Sequence, residues 1–220
     1  MHVDQMNTYS FTLNKIILQA LSSGALWVES EGLLCVSDLH LGKSDRIARR
    51  LGLMLPPYES AETLSRLGEI IEQTKPRLVL CLGDSFDDLE AEASLSQAER
   101  DTLNTLQAGR DWIWIAGNHD PLPLSVGGKC MKDFSINGVV FRHEATDALF
   151  EVSGHYHPKH RIKNGRSRPA FIHDERRVTM PAFGLYTGGL SATSPEIRHW
   201  FPNRAIAVLC GGATPMPVPL

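Results

Sequence analysis

Three stretches of the chain are apolar at consecutive positions: Leu33-Leu34-Cys35-Val36, Leu78-Val79-Leu80-Cys81-Leu82 and Trp112-Ile113-Trp114-Ile115. Side chains alternate between the faces of a strand, so an unbroken apolar run predicts a strand buried on both faces. Between the first two runs, Ala61, Leu64, Leu67, Ile70 and Ile71 recur at helical spacing until Pro76 ends the pattern. Between the second and third, Ser96 and Glu99 form a capping-box signature ahead of Leu103 and Leu106. The first half therefore predicts a β-α-β-α-β order. Beyond residue 120 the pattern changes to strands at 139–143, 149–153, 170–173 and 205–209, with few long helices between them. Two packed sheets flanked by helices, an α/β arrangement in one domain over residues 9–210, satisfy this order. Residues 1–8 and the Pro/Gly-rich residues 211–220 are expected to be flexible tails.

A polar cluster follows each of five apolar runs. These are Asp38-Leu39-His40, Gly83-Asp84-Ser85-Phe86-Asp87, Gly117-Asn118-His119-Asp120, His143, and Gly154-His155-Tyr156-His157. Sites in α/β sheets form at the carboxyl ends of strands, which predicts that the clusters gather along one sheet edge. Residues i and i+2 of an extended chain share a face, so Asp38 projects with His40 and His155 with His157. Gly83, Gly117 and Gly154 let the backbone approach closely. Any one of these motifs reads as a turn or a strand-end polar pair; all five in order point to chemistry.

Composition narrows the function classes. The 220 residues are 42% hydrophobic, with 22 Lys plus Arg against 25 Asp plus Glu, which excludes disorder and binding to nucleic acid by bulk basicity. No apolar run approaches the ~18 residues of a membrane span, and no basic-then-apolar leader opens the sequence. Cys35, Cys81, Cys130 and Cys210 are widely separated with no Cys-x-x-Cys, which fits a reducing cytoplasmic setting and no thiolate zinc site. The nine histidines are the better clue, since five of them fall in the polar clusters.

With these five motifs the sequence resembles the calcineurin-like metallophosphoesterase superfamily. Ser37-Asp-Leu-His-Leu-Gly-Lys43, Leu55-Pro-Pro-Tyr58, Cys81-Leu-Gly-Asp-Ser-Phe-Asp-Asp88 and Pro181-Ala-Phe-Gly-Leu-Tyr-Thr-Gly-Gly-Leu190 resemble its ligase-associated DNA-damage-response endonuclease (PdeM) branch. The resemblance implies a four-layer α-β-β-α sandwich of two mixed sheets holding two divalent ions. One ion would take Asp38, His40, Asp84 and His157. The other would share Asp84 and take Asn118, His143 and His155. His119 would be the catalytic histidine, and Asp87 matches the position that orients it. All these ligands are N and O donors, which suits Mn2+, with Fe or Zn as alternatives. Two divalent ions exceed the charge of the two ligand aspartates, so the site attracts phosphate, and a bridging hydroxide can attack phosphorus. The superfamily's protein phosphatases have Arg directly after the second motif's second Asp; here Asp88 stands there, which favours a phosphodiester substrate.

Two segments are locally basic. Residues 159–177 carry seven Lys/Arg against two acids, including Arg161 and Arg166; residues 43–50 carry Lys43, Arg46, Arg49 and Arg50 against Asp45. Either is the composition of a solvated face, but each follows a metal motif and could track a phosphate backbone; Lys43, Arg46, Arg161 and Arg166 are the candidate substrate contacts. Residues 87–101 hold six acids against Arg100, a face expected to repel DNA. The leading expectation is a DNA phosphodiesterase or nuclease in the bacterial DNA damage response, functionally linked by the resemblance to an ATP-dependent DNA ligase and a helicase-like protein. The alternatives are an enzyme of small nucleotides, cyclic nucleotides or phosphomonoesters, and a non-catalytic protein-binding scaffold.

Overall fold

The computed structural model describes residues 7–120, 125–163 and 165–220. Seven strands form the first sheet in chain order: β1 (Thr8–Leu13), β2 (Ile16–Leu21), β3 (Leu26–Val28), β4 (Leu33–Val36), β5 (Leu78–Leu82), β6 (Asp111–Ile115) and β7 (Lys129–Met131). Neighbours from β1 to β4 are antiparallel, and from β4 to β7 parallel. The crossovers on this sheet contain α1 (Lys43–Leu51), α2 (Glu59–Thr74), α3 (Ala91–Ser94) and α4 (Gln97–Gln107). Ser96 and Glu99 close the expected capping box, and Lys75 ends α2 in a left-handed conformation just before Pro76.

The second sheet contains β8 (Asp133–Ile136), β9 (Val139–Arg142), β10 (Glu151–Ser153), β12 (Ser167–His173), β13 (Arg177–Thr179), β14 (Ile206–Leu209) and β15 (Met216–Pro219) in the order β15-β14-β12-β13-β10-β9-β8. β11 (Lys159–Arg161) makes a hairpin with β12, and α5 (Pro195–Trp200) covers the outer face. Alternation along the strands builds the layers. Leu33, Cys35, Leu80, Leu82, Ile113 and Ile115 point inward against Val139, Phe141, Val152, Phe171, Val178 and Val208 of the second sheet. Leu34, Val36, Val79, Cys81, Trp112 and Trp114 point outward against Leu64, Leu67, Ile70 and Ile71 of α2 and Leu103 of α4. Ala170, Ile172, Ala207 and Leu209 pack on Ile197 of α5 and on Phe201. The architecture is the α-β-β-α sandwich of two mixed sheets.

Three local readings are corrected. The strand expected at 149–153 begins at Glu151, because Phe150 takes a left-handed φ of 57° and Leu149 is exposed. The hairpin β1–β2, turning at Asn14-Lys15 with both residues at positive φ, was not anticipated. Of the expected tails, Thr8 already lies in β1 and residues 1–6 fall outside the described residues, while 216–219 form edge strand β15. Met216, Val218 and Leu220 alternate with Pro217 and Pro219, and Leu220 N–H donates to Ala205 O, so the prolines lie where the missing N–H faces outward. An edge so placed cannot recruit a further strand through those positions.

His173 ends β12 under the first sheet, its ring stacked 4.0 Å from Phe11, and burial holds its pKa down to about 4. The folded state thus prefers neutral imidazole. Its contribution is fully present above pH 6.5 and is lost as pH falls toward 4. Urea titrations at pH 7.5 and pH 5 should show a drop of roughly 2 kcal/mol from this group, and His173→Phe should remove it from the pH dependence. An unchanged acid slope in His173→Phe would place the lability elsewhere.

Candidate metal centre

The carboxyl ends of β4, β5, β6, β9 and β10 bring the five polar clusters together. Asp38, His40 and His157 present ligand atoms within 4.8 Å of one another, and Asp84, His143 and His155 form a second such group. His157 Nε2 lies 3.0 Å from Asp38 Oδ1 and 3.4 Å from His40 Nε2. Asn118 Oδ1 lies 3.0 Å from both His143 Nε2 and His155 Nδ1, which are themselves 3.2 Å apart. His143 Nε2 stands 3.3 Å from Asp84 Oδ2. Thus all seven residues expected as ligands converge. Ring nitrogens, carboxylate oxygens and an amide oxygen brought this close together form a set of donor atoms turned toward common points. The donor set fits two divalent cations.

The backbone is forced to deliver these atoms. Asp38, His40, Asp84, His155 and His157 all have φ between 46° and 70°, a costly region for such residues that clusters at functional sites. Main-chain bonds lock the loops: His40 N–H donates to Asp84 O at 2.9 Å, Gly154 N–H to His143 O at 2.9 Å, and His155 N–H to Asp38 Oδ2 at 3.1 Å. A Cβ on Gly83 would stand 2.3 Å from His143 Nδ1, and one on Gly154 1.9 Å from Ser37 Oγ, so neither loop closes with a larger residue.

A second layer orients the imidazoles. His40 Nδ1–H donates to Asp87 Oδ1 at 2.6 Å and His143 Nδ1–H to Leu82 O at 3.0 Å, leaving both Nε2 atoms for metal. Burial alone would raise the Asp84 carboxyl, but hydrogen bonding and charge from His143 bring it down to about 2. Burial would lower His143, yet its bond to Asp84 and the charges of Asp38 and Asp84 lift it to about 9. The frame of carboxylates and imidazoles therefore draws positive charge inward.

His119 stands apart from the ligand groups. Its Nδ1–H donates to Asp87 O at 2.9 Å, and its Nε2 lies 4.0 Å from Asp84 Oδ2, with the side chain 37% exposed. The partner of His119 is thus the main-chain oxygen of Asp87. The Asp87 carboxylate is fully buried and accepts instead from His40, Lys43 Nζ at 3.2 Å, and Arg46.

That arrangement revises the charge map. Lys43 and Arg46, candidates for substrate contact, are ion-paired to Asp87. Arg49 pairs with Asp45, Asp88 and Glu90, and Arg50 with Asp88. The basic patch and the start of the acidic run are neighbours in space and neutralise each other, so there is no separate repelling face at residues 87–90. Arg161 and Arg166 lie exposed on the β11–β12 hairpin that leaves the His157 loop, and make no ion pair among the described residues.

A model of the calcineurin-like phosphoesterase family matches residues 33–212. The chain belongs to the calcineurin-like phosphoesterase family. It is accordingly a metal-dependent phosphoesterase, of a family that uses two divalent metals. The fold is similar to the crystal structure of Pseudomonas putida nuclease MPE, with a TM-score of 0.78 and 22% identity over 96% of this chain and 100% of that one. It is also similar to YfcE, a phosphoesterase from E. coli, at a TM-score of 0.42 and 13% identity over 86% of this chain and 97% of that one. No curated protein matches the chain. No helix among the described residues is long and apolar enough to cross a membrane.

Two supports escaped the sequence reading. Arg66 of α2 donates to Phe183 O and Ser23 O at 3.2 Å each, with its guanidinium 4.7 Å from the Phe183 ring centroid. Phe183 and Gly184 N–H in turn donate to Ser37 O and Asp38 O, so this family member braces its first metal loop from α2. Asp120, whose place in Gly117-Asn-His-Asp120 was a signal without a role, is 2% exposed and accepts from Ser85, Phe86 and Gly117 N–H at 2.7, 3.1 and 3.2 Å. Asp120→Ala would leave these donors unpaired. It should lower unfolding free energy by about 3 kcal/mol and weaken manganese binding in calorimetry. Wild-type stability in this variant would remove Asp120 from the frame.

Proposed function

We propose that the chain is a dinuclear-metal phosphodiesterase that cleaves DNA, with Mn2+ as its metal and the bacterial DNA damage response as its setting. The observation that carries this reading is the juxtaposition of two ligand groups with His119, whose Nε2 lies 4.0 Å from Asp84 Oδ2. Asp38, His40, Asp84 and His157 would hold one ion, and Asp84, Asn118, His143 and His155 the other. When bound, the ions supply Lewis acidity toward phosphoryl oxygens and lower the pKa of water between them.

The chain's own residues do the rest. His119, held through Nδ1–H by Asp87 O, faces the reacting phosphate with Nε2 and in its protonated form gives a proton to the leaving oxygen. Asp87 positions two histidines at once, His40 through its carboxylate and His119 through its carbonyl. Neutral Asn118 adds a ligand oxygen without cancelling the positive charge that attracts phosphate. Asp88 stands where the superfamily's phosphatases have Arg, and it is engaged by Arg49 and Arg50, so no cation at that position grips a phosphomonoester dianion. Arg161 and Arg166, exposed on the hairpin that follows His157, would meet backbone phosphates.

That the similar Pseudomonas putida protein is a nuclease supports a nucleic-acid substrate, and the resemblance of the Leu55-Pro-Pro-Tyr58 and Pro181-Ala-Phe-Gly184 motifs supports DNA and a link to an ATP-dependent DNA ligase and a helicase-like protein.

With Mn2+, Asp84→Asn and His119→Ala should each lower turnover of DNA and of bis(p-nitrophenyl) phosphate by about 10²–10⁴-fold, while His119→Ala keeps its bound manganese. Full activity in Asp84→Asn would sink the assignment. Arg161→Glu combined with Arg166→Glu should lower the ratio of DNA cleavage to small-diester hydrolysis at least about tenfold and flatten the salt dependence of DNA binding. Equal losses on both substrates would favour small phosphoesters instead.

A further inference from the structure

The metal-ligand candidates His155 and His157 form one wall of a cavity of about 450 Å³. It is lined by His155, Tyr156, His157, Gly189, Leu190 and Glu196. Its volume is that of a small ligand site, and it opens from the two histidines that close the metal motif. The walls are rigid. Tyr156 OH accepts from Trp200 Nε1 at 2.9 Å, and the Tyr156 ring stands edge-on to His155 at 5.1 Å. Leu190 N–H donates to Tyr156 O, and both side chains pack on the core that anchors α5 through Ile197. Glu196, on the first turn of α5, is exposed, and its carboxyl is held below its ordinary range chiefly by its own backbone N–H.

A carboxylate is the wrong charge for a surface that receives phosphates. It has no donor, so it gains only from a group offering N–H or O–H. In a nucleic acid the groups that flank a phosphate and offer N–H are the bases. Guanine alone presents two adjacent N–H groups, N1–H and N2–H, on one edge, matching the two oxygens of a carboxylate. The faces of a base would rest against Tyr156 and Leu190.

We infer that this cavity is a base subsite in which Glu196 accepts from the N1–H and N2–H of an unpaired guanine flanking the scissile phosphate. The inference rests on the proposed action on DNA and names the specificity of that same site. Because those two donors are occupied in a base pair, the guanine must be unpaired when it is read. Arg161 and Arg166 treat every phosphate alike, whereas Glu196 distinguishes one base from the other three.

The test is calorimetric titration of the manganese-loaded protein with dGMP, dAMP, dCMP and dTMP, whose common phosphate cancels in the ratio of dissociation constants. Wild type should bind dGMP about tenfold more tightly than dTMP, and Glu196→Gln, which replaces one acceptor by a donor, should bring the ratio close to one. Glu196 is exposed, so a melting temperature equal to wild type should accompany the change. Equal affinities for all four nucleotides in wild type, or a guanine preference that persists in Glu196→Gln, would overturn the subsite. Cleavage of oligonucleotides is measured separately. Its absence alongside a Glu196-dependent dGMP preference would count against the DNA reading and still support the guanine subsite.

Discussion

Seven polar side chains are crowded together across the ends of five strands, and holding them there is the constraint on which the rest of the structure depends. His40 and His157 bring ring nitrogens to 3.4 Å, His143 and His155 to 3.2 Å, and Asn118 Oδ1 sits 3.0 Å from two of them. His157 and His143 also face the carboxylates of Asp38 and Asp84, at 3.0 and 3.3 Å. The geometry is stable as a receptor for positive charge, and the surrounding fold exists to hold it open.

Holding it open takes a rigid frame. Five of the ligand residues lie at positive φ, a conformation that lasts only where the surroundings over-determine it. The determination comes from above and below. Apolar side chains on both faces of β4, β5 and β6 fix where each strand ends. Between the strand ends, Asp120 ties the β5 and β6 loops together, while Arg66 presses the 183–184 segment onto the carbonyls of Ser37 and Asp38. None of these supports touches a metal ligand side chain, yet each restricts the backbone that carries one.

Charge is distributed by the same packing. Asp87 gathers His40, Lys43 and Arg46 on one buried carboxylate and so joins α1 to the metal frame. The cations of α1 are thereby occupied in structure, whereas Arg161 and Arg166 of the β11–β12 hairpin are exposed to solvent. Against that cationic side, Glu196 is an acid placed beside a site for anions.

The residues alone indicated the buried strands, the helices α2 and α4 and the capping box at Ser96, because these depend on local periodicity, whereas the expected ligands came from the family resemblance that the five motifs carry. Even the close approach at Gly83 and Gly154 was legible, since only glycine leaves room there. The β1–β2 hairpin and the β15 edge were less visible, as short strands gain their stability from neighbours far along the chain. Which cations are free was decided by tertiary structure. Lys43 and Arg46 read as a phosphate track until the β5 loop placed Asp87 against them, and a pairing across 41–44 residues leaves no periodic trace. The role of Asp87 in orienting His119 likewise moved from side chain to carbonyl, because a backbone oxygen has no identity in sequence and acquires a function only through where the fold puts it.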